Sequence, residues 1–444
     1  MGAQGASVQM QTTEGDLQAP YWRPATRVAF RFCFVYFSLY CLLNQIVTSL
    51  VPLANVDVPD LATLAPVRPV VLWVGAHILR IAAPIAYADT GSGDRTFDWV
   101  LVFCELIVAL LATAVWSAMD RKRTNYAALY KWFRLCLRIG LAGQMLSYGM
   151  AKAIPQQMPF PLLTKLVEPY GNFSPMGVLW SSIGASPAYE IFAGCAELLA
   201  GVLLVIPRTV TLGALVCLAD MTQVFMLNMT YDVPVKLLSF HLLLMSLFLL
   251  APDFQRLTDF FFLNRTAGPS RQLPIFTTRR ANQTALWAQL LIGVWLLSMN
   301  LYGGWVSWHS YGGGRPKSEL YGIWDVDQQT IDGQLRSPLL TDYGRWRRMI
   351  FDLPGMVFLQ RMDSSIARYR AVIDAGHGKL LLIDPANKNA KSDMVFQRPK
   401  QDQLILDGNM QGHKVRMQLQ LVDRQKFLLV SRGFHWVQEN PLNR

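Results

Sequence analysis

Five polar residues stand inside long apolar runs of this 444-residue chain: Glu105, Gln144, Glu197, Asp220 and His241. A charged group at the centre of a membrane helix costs roughly 2.5–3.5 kcal/mol on insertion scales, so each such residue needs a role. Measured from the outer end of its run, Glu105 lies seven residues in, Glu197 and Asp220 eight, and Gln144 and His241 six. At ~1.5 Å of rise per residue, all five share one depth, roughly 9–12 Å below the outer surface. Arg138 lies about one helical turn deeper, and its side chain can reach the same layer. Carboxyls, an imidazole and the nearby Tyr148 hydroxyl are groups that hold and pass protons, and a shared depth predicts an enclosed polar pocket in the outer leaflet. The competing reading is structural: Arg138 locks helices by pairing with Glu197 or Glu105, and His241 donates to a backbone carbonyl.

A second group gathers at the outer rim. Tyr148 and Lys152 end one apolar run, while Asn228, Tyr231, Asp232, Pro234 and Lys236 form a short polar turn between two others. Two lysines and two tyrosines there suit an anionic substrate. An Asp232–Lys236 pair at i,i+4 is equally a local staple. The candidate catalytic residues are therefore Glu197, Asp220, His241 and Tyr148. The candidate cofactor-binding residues are Arg138, Gln144, Glu105, Lys152, Tyr231, Asp232 and Lys236.

The elements that must position these residues are membrane helices. Hydrophobic side chains make up 52% of the chain and charged ones 16%, with a formal charge of +11. The excess Lys and Arg fall in short loops between apolar runs, which argues against nucleic acid and for the positive-inside pattern of a bilayer protein. Seven spans are predicted, over about 28–50, 98–119, 129–150, 189–206, 209–228, 235–252 and 284–301. The run 70–88, interrupted by His77, Arg80 and Pro84, is predicted to lie along the outer interface. Residues 1–26 read as a polar, disordered cytoplasmic tail, and the first span as an uncleaved signal anchor. With the N-terminus inside, Arg121, Lys122, Arg123, Lys131 and Arg134 fall on the cytoplasmic side, together with the basic residues between 256 and 280. Arg68, Arg80, Arg95, Lys152 and Lys165 fall outside, in a bacterium the extracytoplasmic side of the inner membrane. The six cysteines all lie within apolar runs without a CxxC or other metal-ligand spacing, so they read as small buried hydrophobes and no metal is expected.

Past residue 302 the texture changes. Tyr302, Trp305, Trp308 and Tyr311, followed by three glycines, predict an interfacial aromatic anchor and a linker over 302–318. From 319 onward, short runs alternate apolar and polar residues, as in Lys379–Ile383 and Lys414–Val422. About eight such runs predict an antiparallel, lipocalin-like up-and-down barrel on the extracytoplasmic side. Its opening Gly322-x-Trp324 resembles the start of lipocalin barrels, with Gly322 bending the strand and Trp324 plugging the floor. Arg432 is expected to lie over that indole.

Residues 134–252 resemble the DoxX family of small four-helix membrane proteins. The resemblance rests on Arg138-Ile-Gly, Tyr148-Gly149-Met-Ala-Lys152, Phe192-Ala-Gly194-Cys-Ala-Glu197 through Gly201 to Arg208-Thr, then Gly213 and His241. It implies membrane-associated redox chemistry, a quinone-type cofactor and an envelope oxidoreductase partner. Tyr231 to Lys236 and the stretch from His241 to Arg265 also resemble the membrane domain of vitamin-K-dependent carboxylase-like proteins, which likewise handle quinone-type cofactors. The extra spans and the β domain depart from the DoxX pattern. The alternative expectation is a non-enzymatic scaffold whose β domain binds an envelope partner or hydrophobic ligand; a transporter would require repeat symmetry between halves, which the sequence lacks.

Overall fold

The computed structural model describes residues 22–51, 60–268, 274–384 and 391–443. Its fold is a helical bundle followed by a closed β-barrel. The chain divides into two units, one of Met1–Ser147, Glu197–Asn228 and Pro234–Met299, the other of Tyr148–Ala196, Met229–Val233 and Asn300–Arg444. Each is described by itself.

In the helical unit, α1 (Pro24–Leu43) and the short α2 (Gln45–Thr48) are separated by one extended residue, Asn44, at φ −103° and ψ 176°. The predicted tail lies outside the described residues as far as residue 21. Residues 22–26 are not a disordered tail: Pro24 opens α1, and Trp22 packs edge-on against Phe30 and Tyr130. The run 70–88 yields α3 (Val67–Trp73), prolonged by a π turn to Ile78, which is only a short apolar helix. Next come α4 (Thr96–Met119) and α5 (Ala127–Ala153). After two short helices of the other unit, α6 (Leu163–Val167) and α7 (Pro175–Gly184), the chain forms α8 (Pro187–Val205), α9 (Val210–Thr230), α10 (Lys236–Leu250), α11 (Phe254–Phe261) and α12 (Arg279–Ser310).

Among the described residues, six helical segments are long and apolar enough to cross a membrane, and α5 is not one of them. It carries Lys131, Arg134, Arg138 and Lys152, yet every residue from 137 to 146 is buried. Other helices sheathe it, which is how a helix with charges can stand in a bundle. The lipid-type surface belongs to helices such as α4, where Val108, Leu111, Val115 and Met119 are exposed. Arg31 shows how a buried cation is accommodated: it donates to Tyr126 Oη, Ser117 Oγ and the carbonyl of Asp120, tying α1 to the turn between α4 and α5. The aromatic residues after 301 continue α12 as helix to Ser310, and the three glycines come after its end.

In the second unit, nine antiparallel strands among the described residues run β1 (Gly322–Ile331), β2 (Gln334–Leu335), β3 (Trp346–Phe351), β4 (Met356–Arg361), β5 (Ile366–Asp374), β6 (Lys379–Ile383), β7 (Lys391–Lys400), β8 (Gln403–Met410) and β9 (His413–Leu421). Each of β3 to β8 pairs with its successor, β1 pairs with both β3 and β9, and β2 is a short strand paired with β1 alone, so eight strands close the barrel. Side chains alternate as the pattern requires: Val415, Met417 and Leu419 of β9 point into a core shared with Met349, Leu359, Leu382 and Leu406. Gly322 adopts φ +150°, and a Cβ there would meet the Leu421 side chain at 2.5 Å, so the strand bends where only glycine fits. Trp324 is fully buried and donates from Nε1 to the Leu320 carbonyl. The cation over its ring is Arg398 of β7, at 5.5 Å; Arg432 instead donates to Gln438. The barrel closes by pairing β9 to β1, which leaves β8 and β9 between β7 and β1, so Arg398 reaches Trp324 from a strand that is not its sheet neighbour. A small helix, α13 (Leu428–Ser431), follows β9.

The stretch between α5 and α8 docks on the barrel. Asp352, at the end of β3, accepts the Leu163 N–H at 2.6 Å and pairs with Arg315 at 2.9 Å. Gln360 donates to the Val167 carbonyl, and Leu163 shares a buried cluster with Ile323 and Ile350.

Candidate functional site

The break after Leu43 is the centre of the helical unit's polar chemistry. Tyr36, Tyr40 and Asn44 follow one another at i, i+4 and i+8 and so share one face of α1. Asn44 keeps its backbone N–H on the Tyr40 carbonyl, while its amide donates to that carbonyl at 3.1 Å and to Glu105 Oε1 of α4 at 3.0 Å. Glu105 is 2% exposed, and its Oε2 is buried with no hydrogen-bond partner among the described residues.

Across from α1, His241 of α10 is buried, with Nδ1 2.6 Å from the Leu237 carbonyl and Nε2 2.7 Å from the Tyr36 hydroxyl. A carbonyl only accepts, so Nδ1 carries the proton in this hydrogen-bond network and Nε2 accepts from Tyr36. One face of the imidazole stacks on Tyr40, with centroids 3.7 Å apart and planes 8° off parallel. Glu105 and His241 thus belong to one buried cluster with Tyr36, Tyr40 and Asn44.

Gln144 of α5 adjoins it. Its amide nitrogen donates to the Gln45 carbonyl and to Ser49 Oγ, and its oxygen accepts from the Gln45 side chain at 3.3 Å. The amides of Asn44 and Gln45 therefore tie the interrupted α1–α2 segment to neighbouring helices, as irregular backbone at membrane depth requires. Glu197 and Asp220 both act electrostatically on the Cys217 thiol, which accepts a hydrogen bond from Ser246 of α10. Glu197 is 1% exposed and Asp220 half-buried. Arg138 pairs elsewhere: its guanidinium donates to Gln289 of α12.

At the rim, the Lys236 ammonium lies 3.8 Å from Asp94, whose carboxylate also accepts the backbone N–H groups of Lys236 and Leu237. Asp94 is thus an anion at the N-terminus of α10. Asn228 donates to Ser239 Oγ and to the Val235 carbonyl. Tyr148, Lys152, Tyr231 and Asp232 belong to the second unit. There Lys152 is buried within the electrostatic reach of Glu190, which accepts the Met158 N–H at 2.8 Å. Asp232 takes a left-handed φ of +53° just past α9. The close approach of α5 to α8 in this unit depends on Gly194, where a Cβ would stand 2.4 Å from the Ala153 nitrogen and 2.7 Å from the Gly149 carbonyl oxygen.

Sequence reasoning missed Tyr36, Tyr40, Asn44, Gln45 and Asp94. The signal for the first three was their four-residue spacing in an otherwise apolar run. Among the described residues, no group of His, Cys, Asp and Glu could hold a metal ion.

No family model and no solved structure matches the chain. The chain is similar to the uncharacterized protein YwoB of Bacillus subtilis (strain 168), at 34% identity over 134 residues, which cover 30% of this chain and 85% of that protein.

Proposed function

The chain belongs to the family of YwoB, and we propose that it is a polytopic inner-membrane protein serving membrane-associated redox chemistry, with a quinone-type cofactor held beside Glu105. In this reading the N-terminus is cytoplasmic, the barrel is extracytoplasmic, and an envelope oxidoreductase partner supplies the electrons. The observation that carries it is the unpartnered Oε2 of a buried carboxyl. A buried polar atom without a partner costs about 1–3 kcal/mol, and a carbonyl oxygen placed there would remove that cost by accepting from the protonated acid.

When bound, a quinone supplies two-electron, two-proton chemistry in the bilayer. The protein's task is to hold a carbonyl and handle protons. Asn44 fixes Oε1 of Glu105, which leaves Oε2 as the atom that donates. His241 is not the direct donor: both ring nitrogens are engaged and Tyr40 covers one face. It accepts the Tyr36 hydroxyl proton at Nε2. Glu197 and Asp220, around Cys217, are a second pair of carboxyls in the same unit.

Two substitutions separate binding from proton handling. In Glu105→Gln, the amide oxygen still accepts from Asn44 and the amide nitrogen takes the place of Oε2 as a donor. Quinone is therefore retained by the purified protein while its reduction slows. In Glu105→Leu the donor is gone, and affinity falls roughly ten- to a hundredfold, the equivalent of one buried hydrogen bond. Equal quinone content in the native protein and Glu105→Leu would overturn the proposal.

A further inference from the structure

A second feature of the helical unit lies between α5, the turn Pro207–Thr209 and α12, where a cavity of about 760 Å³ opens. Lys131, Arg134 and Arg138, at i, i+3 and i+7, present one face of α5 to it, and Arg208 lines it from the turn. No carboxylate is among its described lining residues. Asp253, next to the lining residue Pro252, is fully buried and engaged with Thr211 and Arg256.

The guanidiniums are incompletely satisfied. Arg138 is 7% exposed; it donates to Gln289, but its Nε is buried without a partner among the described residues. Arg134 donates to the Leu249 carbonyl, and its Nε is likewise buried and unpartnered. Buried cations without a counter-charge are costly, so the arrangement calls for an anion.

The anion's other end is indicated next door. A neighbouring cavity of about 520 Å³ shares Leu135, Ile275, Ala285 and Gln289 with the first. Its remaining wall is largely apolar, with Trp132, Ile139, Phe276 and Ile292. A free phosphate would fill only the basic half. We infer that the two cavities together form a site for one anionic phospholipid, its phosphate against Arg134, Arg138, Lys131 and Arg208 and an acyl chain along the α5–α12 groove. Basic pockets between membrane helices are suited to such headgroups; bidentate guanidinium contacts hold the phosphate, and four basic side chains repel the choline cation of a zwitterionic lipid, which gives the selectivity for a net negative headgroup. The site uses no residue of the Glu105 cluster and goes beyond the quinone reading.

The test uses the full-length protein in nanodiscs of phosphatidylcholine, with phosphatidylglycerol titrated in and retained lipid read by native mass spectrometry. Phosphatidylglycerol should be retained selectively and raise the melting temperature, whereas inorganic phosphate should do neither. Arg138→Gln should weaken retention roughly tenfold or more, the loss of one charge-assisted hydrogen bond. Arg208→Gln, at an exposed position outside α5, should weaken it in the same direction and carries the test if the Arg138 variant does not fold. Equal retention of phosphatidylcholine, reproduction of the shift by inorganic phosphate, or unchanged binding in Arg208→Gln would overturn the inference. Glu105→Leu should leave phosphatidylglycerol binding intact, so failure of the quinone proposal is read separately.

Discussion

Asn44→Ala probes the joint on which the Glu105 cluster depends. The asparagine amide is the donor found on Glu105 Oε1, while Oε2 has no partner among the described residues, so the substitution leaves the buried carboxyl unsatisfied at both oxygens. The Tyr40 carbonyl loses less, because the backbone N–H of residue 44 still reaches it. An orphaned buried acceptor costs about 1–3 kcal/mol, which sets the expected destabilisation of the single variant. Glu105→Leu removes the carboxyl altogether, so adding Asn44→Ala to it should cost much less than Asn44→Ala alone. Interhelical hydrogen bonds in membranes couple by about 0.6 kcal/mol on average and about 1.7 at most, so the double-mutant cycle should return a value in that range. Reversible unfolding in mixed micelles, with all four proteins under the same conditions, measures it. Strict additivity of the two substitutions, or an Asn44→Ala protein as stable as the native one, would refute the reasoning.

Gly194→Ala should destabilise the second unit by about 1–3 kcal/mol, since the added Cβ meets backbone atoms of α5 that cannot move independently; thermal unfolding against a control such as Gly171→Ala, where a Cβ meets nothing within 4 Å, checks it. Arg398→Ala should destabilise the barrel by about 0.5–1 kcal/mol through loss of the contact over Trp324, and Arg432→Ala should not, as read by urea unfolding followed by tryptophan fluorescence. On the barrel surface, hydrogen bonds from His413 and from the Lys414 N–H hold the Asp332 carboxyl below its usual range. A lowered folded-state value means that the pair's contribution is present above about pH 4 and is lost as pH falls through the native value. His413→Gln should move the Asp332 midpoint upward in an NMR titration, and an unmoved midpoint would remove His413 as the cause.

The barrel was legible because period-two alternation reports directly which face of a strand is buried, and the run Lys379–Ile383 coincides with β6. What alternation does not encode is which strands meet at closure, and so Arg398, not Arg432, reached Trp324. In the membrane half, apolar runs showed the helices, but a hydropathy average cannot tell a lipid-facing helix from one sheathed by others, which is the situation of α5. The interruption at Asn44 was hidden for a different reason. No proline or glycine marks it; two consecutive amides with partners on α4 and α5 make the extended residue tolerable. Those partners lie 61 and 99 residues away in sequence, so the break becomes readable only when the helices are together. The depth argument brought Glu105 and His241 to notice, and the structure does join them in one cluster. It could not foresee that Arg138 faces α12, because depth fixes a position along the membrane normal and leaves the direction around the helix open.

The redox account is tested most directly by the lipid-soluble content of the native protein. Chromatography of an organic extract from gently purified full-length chain should give about one quinone per polypeptide, with Glu105→Gln retaining it and Glu105→Leu depleted. An extract from the native protein with no quinone above the level of an unrelated membrane protein prepared in parallel would contradict the account.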